Sequence, residues 1–158
     1  MSYQLQEINR KIDQDVNGFL EECDAQYAEK VSQAADTILN NLSQSPIVLL
    51  SGPSGSGKTT TALKIEEELE KRGVLTHTIS MDNYFKTLDP KTAPRTSEGM
   101  VDFESPLCMD MDLLTSHFTK LSKGEWVVVP KFEFARQMRN DAKGRPLRLG
   151  KREVAIFE

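Results

Sequence analysis

The sequence predicts an α/β fold: a small parallel sheet flanked by helices, preceded by one long helix and carrying a β-hairpin to one side. Three observations carry that expectation. Short strand-like segments recur near 47–50, 74–80 and 154–157, the first and last of them uniformly apolar, as expected of parallel strands buried on both faces. Amphipathic helical stretches alternate with them, as in βαβ architectures. Ahead of the first run, residues 3–42 place Ile8, Ile12, Val16, Phe19, Cys23, Tyr27, Val31, Ala35, Ile38 and Leu42 at spacings of three and four, one apolar stripe of a helix. Asn17-Gly18 is the expected point of bending in that helix.

With 158 residues the chain holds one domain of ordinary size. We divide it into a helical N-terminal extension, 1–45, and a compact part, 46–158. Formal net charge is −4, which excludes the basic field expected of a nucleic-acid binder. Positive charge does gather late, at Lys131, Arg136, Arg139, Lys143, Arg145, Arg148, Lys151 and Arg152. That run reads as a solvated hairpin or, more sharply, as a local anion site. Cys23 and Cys108 have no metal-ligand spacing and suit a reducing setting. With no signal-like segment and no apolar run of membrane-spanning length, the expected location is the cytoplasm, with no membrane partner.

Pro46 ends the first helix, and Ile47-Val48-Leu49-Leu50 is the first strand. A glycine-rich loop follows, then a helix from Lys58 to Arg72 stopped by Gly73. Val74 to Ser80 is the second strand. Residues 87–108 lack periodicity, and a loop of that length suggests function. Met111, Leu114, Phe118 and Leu121 mark one face of a helix over 109–122. Trp126 to Val129 starts a strand expected to continue through Phe132 and Phe134. Gly144 sits in a turn, Pro146 to Leu149 forms the hairpin partner, and Val154 to Phe157 is the third core strand.

The loop Gly52-Pro53-Ser54-Gly55-Ser56-Gly57-Lys58-Thr59, with Thr60 behind it, matches the Walker A pattern between a strand and a helix. Glycines let backbone N–H groups turn inward around phosphate oxygens without Cβ clashes, and the helix N-terminus adds its positive dipole end. Lys58 can reach the β- and γ-phosphates, and the Thr59 hydroxyl can ligate Mg²⁺. The implied ligands are ATP and Mg²⁺, and the implied fold is that of a P-loop NTPase. Asp82 follows the second strand, at the edge where open α/β sheets bind ligands. A carboxylate there can take a proton from an attacking hydroxyl or hold the metal, and equally can cap a turn.

Beyond the loop, four segments resemble the uridine kinase and phosphoribulokinase family. Asp82-Asn83-Tyr84-Phe85 is similar to its Asp-x-aromatic-aromatic segment, and Asp102-Phe103-Glu104-Ser105-Pro106 to its Asn-Phe-Asp-His-Pro segment. Pro130-Lys131-Phe132-Glu133-Phe134 is similar to its Pro-x-Tyr-Asp-Phe strand, with Arg139 where a family arginine follows. Glu158 falls on the glutamate that ends the next core strand, and Gly144 to Gly150 is closest to bacterial uridine kinase-like proteins. The resemblance implies a kinase-type P-loop fold and transfer of the γ-phosphoryl of ATP to the 5′-hydroxyl of a nucleoside such as uridine. It implies Asp82 as base with Lys58 beside the phosphates, and Thr59, Asp82 and Glu158 as metal contacts. Tyr84, Phe103, Glu104, Phe132, Phe134, Gln137 and Arg139 would face a small-molecule acceptor. Phe132 and Phe134 read equally as core aromatics of a strand. Where nucleoside-specific members carry Tyr and His, this chain has Phe132 and Gln137. The family continues past the position of Glu158 with lid arginines, so the resemblance also implies an incomplete sheet. It leaves a second expectation open, a non-catalytic ATP-binding or regulatory fragment lacking the lid.

Overall fold

The computed structural model describes residues 4–158 apart from Ser54, Pro90 and Glu104. Helix α1, Leu5–Asn41, is broken at Asp15, whose φ of −161° and ψ of 93° are extended rather than helical. The break lies just ahead of the expected bend at Asn17-Gly18 because Asp15 Oδ1 accepts the Gly18 N–H at 3.0 Å and caps the turn that follows. Lys11 then meets Glu22 at 2.7 Å and lies 5.6 Å above the Phe19 ring. In a straight helix an 11-residue separation would span about 16 Å. The first segment therefore turns back along the second, and the apolar stripe is not continuous as expected. Leu5, Ile12, Val16 and Leu20 are exposed, while Val31 and Ala35 are buried.

The parallel sheet comprises β1, Ile47–Leu49, β2, Leu75–Ile79, and β7, Glu153–Phe157, in the order β1-β7-β2. The central strand β7 pairs Ile156 with Val48 on one side and Thr78 on the other. Its alternation sorts side chains into two cores, because successive residues of a strand point to opposite faces. Val154 and Ile156 pack with Ala62, Ile65 and Leu69 of α2, Lys58–Lys71, and with Val31 and Ala35 of α1. Ala155 and Phe157 pack on the other face with Leu114 and Leu121 of α3, Met111–Ser122, and with Tyr84.

Two small antiparallel pairs complete the structure. Strand β3, Val127–Val129, pairs with β6, Arg145–Leu147, and β4, Phe132–Glu133, pairs with β5, Met138–Arg139. The expected single strand from Trp126 through Phe134 is thus two strands with different partners, separated at Pro130, and Phe134–Arg136 is a short 3-10 turn. Proline has no N–H to continue a ladder, which is where the partner changes. The long loop is closed at its base, where Phe85 bridges Met109 and the Lys86 N–H donates to the Cys108 carbonyl at 2.8 Å. Among the described residues no helix is long and apolar enough to cross a membrane.

Candidate active site

The carboxyl ends of all three parallel strands converge, and the backbone ties them together. The Leu50 N–H donates to Phe157 O at 2.8 Å, Glu158 N–H to Ile79 O at 3.1 Å, and Met81 N–H to Glu158 O at 2.8 Å. The glycine-rich loop, Glu158 and the turn that carries Asp82, Met81–Tyr84, therefore share one edge. Gly57, the residue before α2, has a φ of 81°, and Gly55 a φ of 71°. An L side chain would be strained in that left-handed conformation, which turns consecutive N–H groups to one side of the loop. Gly52, Pro53, Gly55, Ser56 and Gly57 are all exposed around it, and Thr60 is exposed on the first turn of α2. Lys58 Nζ lies across the loop, donating to the carbonyl oxygens of Gly52 at 3.1 Å and Pro53 at 3.2 Å. The Thr59 hydroxyl donates to Glu158 Oε2 at 2.9 Å, linking the start of α2 to the end of β7. Asp82 is exposed at the same edge. The expected loop residue Ser54 lies outside the described residues.

Thr59, Asp82 and Glu158 offer one hydroxyl and two carboxylates. Among the described residues no three His, Cys, Asp or Glu side chains gather into a metal cage. The donor set still fits Mg²⁺, which typically takes one or two carboxylates and fills its remaining positions with water and phosphate oxygens.

Behind the Asp82 turn lies a cavity of about 240 Å³, lined by Phe85, Lys86, Leu88, Ala93, Val101, Phe103, Phe132, Phe134 and Gln137. The rings of Phe85 and Phe132 meet edge to face at 5.6 Å, and those of Phe132 and Phe134 at 5.1 Å. Asn83 Oδ1 accepts the Phe132 N–H at 3.3 Å, joining this aromatic wall to the Asp82 turn. Gln137 has a φ of 50°, the only positive value at a non-glycine among the described residues. It ends the Phe134–Arg136 turn, its N–H donating to the Phe134 carbonyl, and such backbone positions cluster at functional sites.

Of the expected acceptor contacts, Phe103, Phe132, Phe134 and Gln137 are gathered here. Glu104 lies outside the described residues. Tyr84 is a correction: it is fully buried, its hydroxyl bonds His117 Nδ1 at 3.0 Å, and its ring packs 6.2 Å from that of Phe157. Burial pushes its phenol well above the ordinary range. Phe85, the next residue, lines the cavity instead. Arg139 is likewise absent from the cavity wall, because its guanidinium is held by Asp110 at 2.6 Å and Asp141 at 2.8 Å. Burial works to raise the Asp110 carboxyl, but the Arg139 bond, the Leu113 N–H and nearby cations outweigh it and hold it low. Sequence reasoning missed Phe85, Lys86, Leu88, Ala93 and Val101. Only Phe85 left a signal, as the second aromatic of the Asp-Asn-Tyr-Phe segment.

Comparison with known proteins follows the same outline. A model of the Phosphoribulokinase / Uridine kinase family matches residues 47–158. Uridine kinase of Mycoplasma genitalium is 35% identical over 112 residues, covering 71% of this chain and 50% of that protein. Uridine kinase of a Geobacillus species is 30% identical over 118 residues, covering 74% and 53%. That of Schizosaccharomyces pombe is 35% identical over 85 residues, 54% of this chain and 18% of that one. The chain thus spans about half or less of the length of these relatives. Among solved structures, a possible uridine kinase from Bacillus stearothermophilus superposes with a TM-score of 0.61 at 19% identity, covering 82% of this chain and 70% of that one. A D-glycerate 3-kinase from Cryptococcus neoformans superposes with a TM-score of 0.56 at 22% identity, covering 82% and 51%. At such identities the likeness is one of fold.

Proposed function

The chain belongs to the phosphoribulokinase and uridine kinase family, and from that premise we propose that it carries the nucleotide and acceptor sites of a kinase. The reaction is transfer of the γ-phosphoryl of ATP to a hydroxyl, the 5′-hydroxyl of a nucleoside. The observation that carries this reading is the shared edge: loop, Thr59–Glu158 pair and Asp82 turn converge where the aromatic cavity begins. The roles follow from position. Inward N–H groups of the loop and Lys58 hold the phosphates and meet the charge that develops on them. Asp82 takes the proton of the acceptor hydroxyl as its oxygen bonds to the γ-phosphorus and the bond to the β-phosphate oxygen breaks, releasing ADP. Thr59, Asp82 and Glu158 would hold Mg²⁺, which would supply neutralising charge when bound. Phe85, Phe103, Phe132 and Phe134 receive the flat part of the acceptor by stacking, and Gln137 offers it an amide. Residues 46–158 form the kinase portion, and 1–45 an extension whose second half docks on α2.

Calorimetry of the Lys58→Ala variant tests the nucleotide half of this reading. Affinity for ATP with Mg²⁺ should fall steeply while that for adenosine barely changes. Equal losses, or no ATP binding by the unaltered chain, would overturn it.

A further inference from the structure

The late basic run resolves into separate fates. Arg139 is taken by Asp110 and Asp141, and Arg136 lies 3.4 Å from Glu133. Arg148 sits 5.1 Å above the Trp126 ring, and Arg152 donates to the carbonyl oxygens of Arg72 and Gly73. Among the described residues no carboxylate pairs with Lys131, Arg145 or Lys151. Lys151 lies apart, in the groove near Leu42 and Gly124. Lys131 and Arg145 line one cavity of about 230 Å³ at the open side of β2, together with Lys143, Ser80 and Asn83. Register explains the meeting: Arg145 pairs with Val129, and Lys131 follows two residues later, past Pro130.

Among the described residues that cavity holds three cations and no acidic side chain in its wall, although acids outnumber bases by 24 to 20 in the chain. Lys143 shares its charge with Glu133 at 2.7 Å, so Lys131 and Arg145 supply most of the uncompensated field. Thr78 spends its hydroxyl on Glu66 at 2.8 Å, and Ile79, Val129 and Pro130 are apolar, so two further wall groups can donate. Asn83 spends its oxygen on the Phe132 N–H, which leaves its amide hydrogens, and Ser80 adds a hydroxyl. The neighbouring aromatic cavity contrasts with this, since among the described residues Lys86 is its one charged lining residue. Like charges collected from separate segments repel one another, and an anion between them relieves that repulsion.

We propose that this cavity is a second anion site, separate from the glycine-rich loop, that takes the phosphate group of a small phosphorylated metabolite. Ser80 and Asn83 flank Asp82, so a phosphate seated there lies beside the base assigned above. The anion comes either from a phosphorylated acceptor reaching across that turn or from a separate effector.

Nuclear magnetic resonance titration of the labelled chain with inorganic phosphate and with ribose 5-phosphate tests this, with Arg145 Nε and the Asn83 side-chain amide as reporters. Saturable shifts at both are expected with at least one of the two probes. Arg145→Gln and Lys131→Gln, both exposed, should each weaken that binding about tenfold, the scale of one charge-assisted hydrogen bond. Lys64→Gln, an exposed change on α2, should leave it alone. Concurrent shifts of Phe103 and Phe134 with ribose 5-phosphate would assign the phosphate to an acceptor, and their absence to an effector; either upholds the site. Shifts confined to the Gly55 and Gly57 amides, no saturation with either probe, or equal binding by a double Lys131, Arg145 variant would overturn it.

Discussion

At the scale of single residues, adjacent side chains divide between core and cavity. Tyr84 fills the space between Phe157 and His117, whereas Phe85 faces the cavity with Phe132. Tyr84→Phe leaves His117 Nδ1 buried without its partner and should cost about 1–3 kcal/mol, read from urea unfolding. His117 is held below its ordinary value of 6.5, first by burial, then by Lys120 and Arg139, with Asp110 opposing. The unfolded chain therefore binds this proton more readily than the folded one. Stability should rise with pH from the depressed folded value up to about 6.5, and fall as acid enters that window. Urea midpoints across it, compared with His117→Gln, isolate the contribution, and a slope unchanged in the variant would exclude His117 as its source. In the aromatic cavity, proposed above to receive the acceptor, Phe132 carries no phenol hydroxyl and Gln137 presents an amide. A coupled ADP-release assay on a form with turnover should show relaxed preference across a nucleoside panel. Strong selectivity for uridine and cytidine would show that the two substitutions do not matter.

Elements were legible wherever one period or one residue type dominates. The central strand appears as an apolar run because β7 is buried on both faces, so nothing polar interrupts Val154 to Phe157. Ile156→Ala should cost about 3 kcal/mol, since its side chain packs inside the α1–α2 layer with no room to relax, and a thermal or urea melt measures it. The loop was legible through its glycines. The change of partner at Pro130 was not, because Val129 and Phe132 are both apolar and alternation does not say which strand lies opposite. Nor was the cavity, as Leu88, Ala93 and Val101 stand singly in an aperiodic segment. The break in α1 was hidden because apolar residues keep their spacing on both sides of Asp15. A side chain at Gly18 would collide with the Asp15 carboxylate. Gly18→Ala should therefore dislodge that cap, costing about 1 kcal/mol locally and raising amide exchange of residues 5–14.

Taken whole, the molecule leans on half of its first helix. Val31 and Ala35 share a core with Ala62, Ile65, Leu69 and the central strand, whereas residues before 23 contribute no buried side chain among those described. Deleting 1–22 should leave the thermal midpoint within a few degrees, while deleting 1–45 should expose the α2 face and bring aggregation. Calorimetric scans of both forms decide this, and a stable 46–158 would show that the extension is separable. The strand order has a temporal side as well. β1 and β2 do not pair with each other, and among the described residues each pairs with β7, about a hundred and about eighty residues later in the chain. A growing or refolding chain thus holds two strands without a neighbour until the third is present, and must close a long loop for each pairing of the sheet. Pulse-labelled hydrogen exchange should show Ile47–Leu49 and Leu75–Ile79 gaining protection in the same kinetic phase as Glu153–Phe157, and none before it.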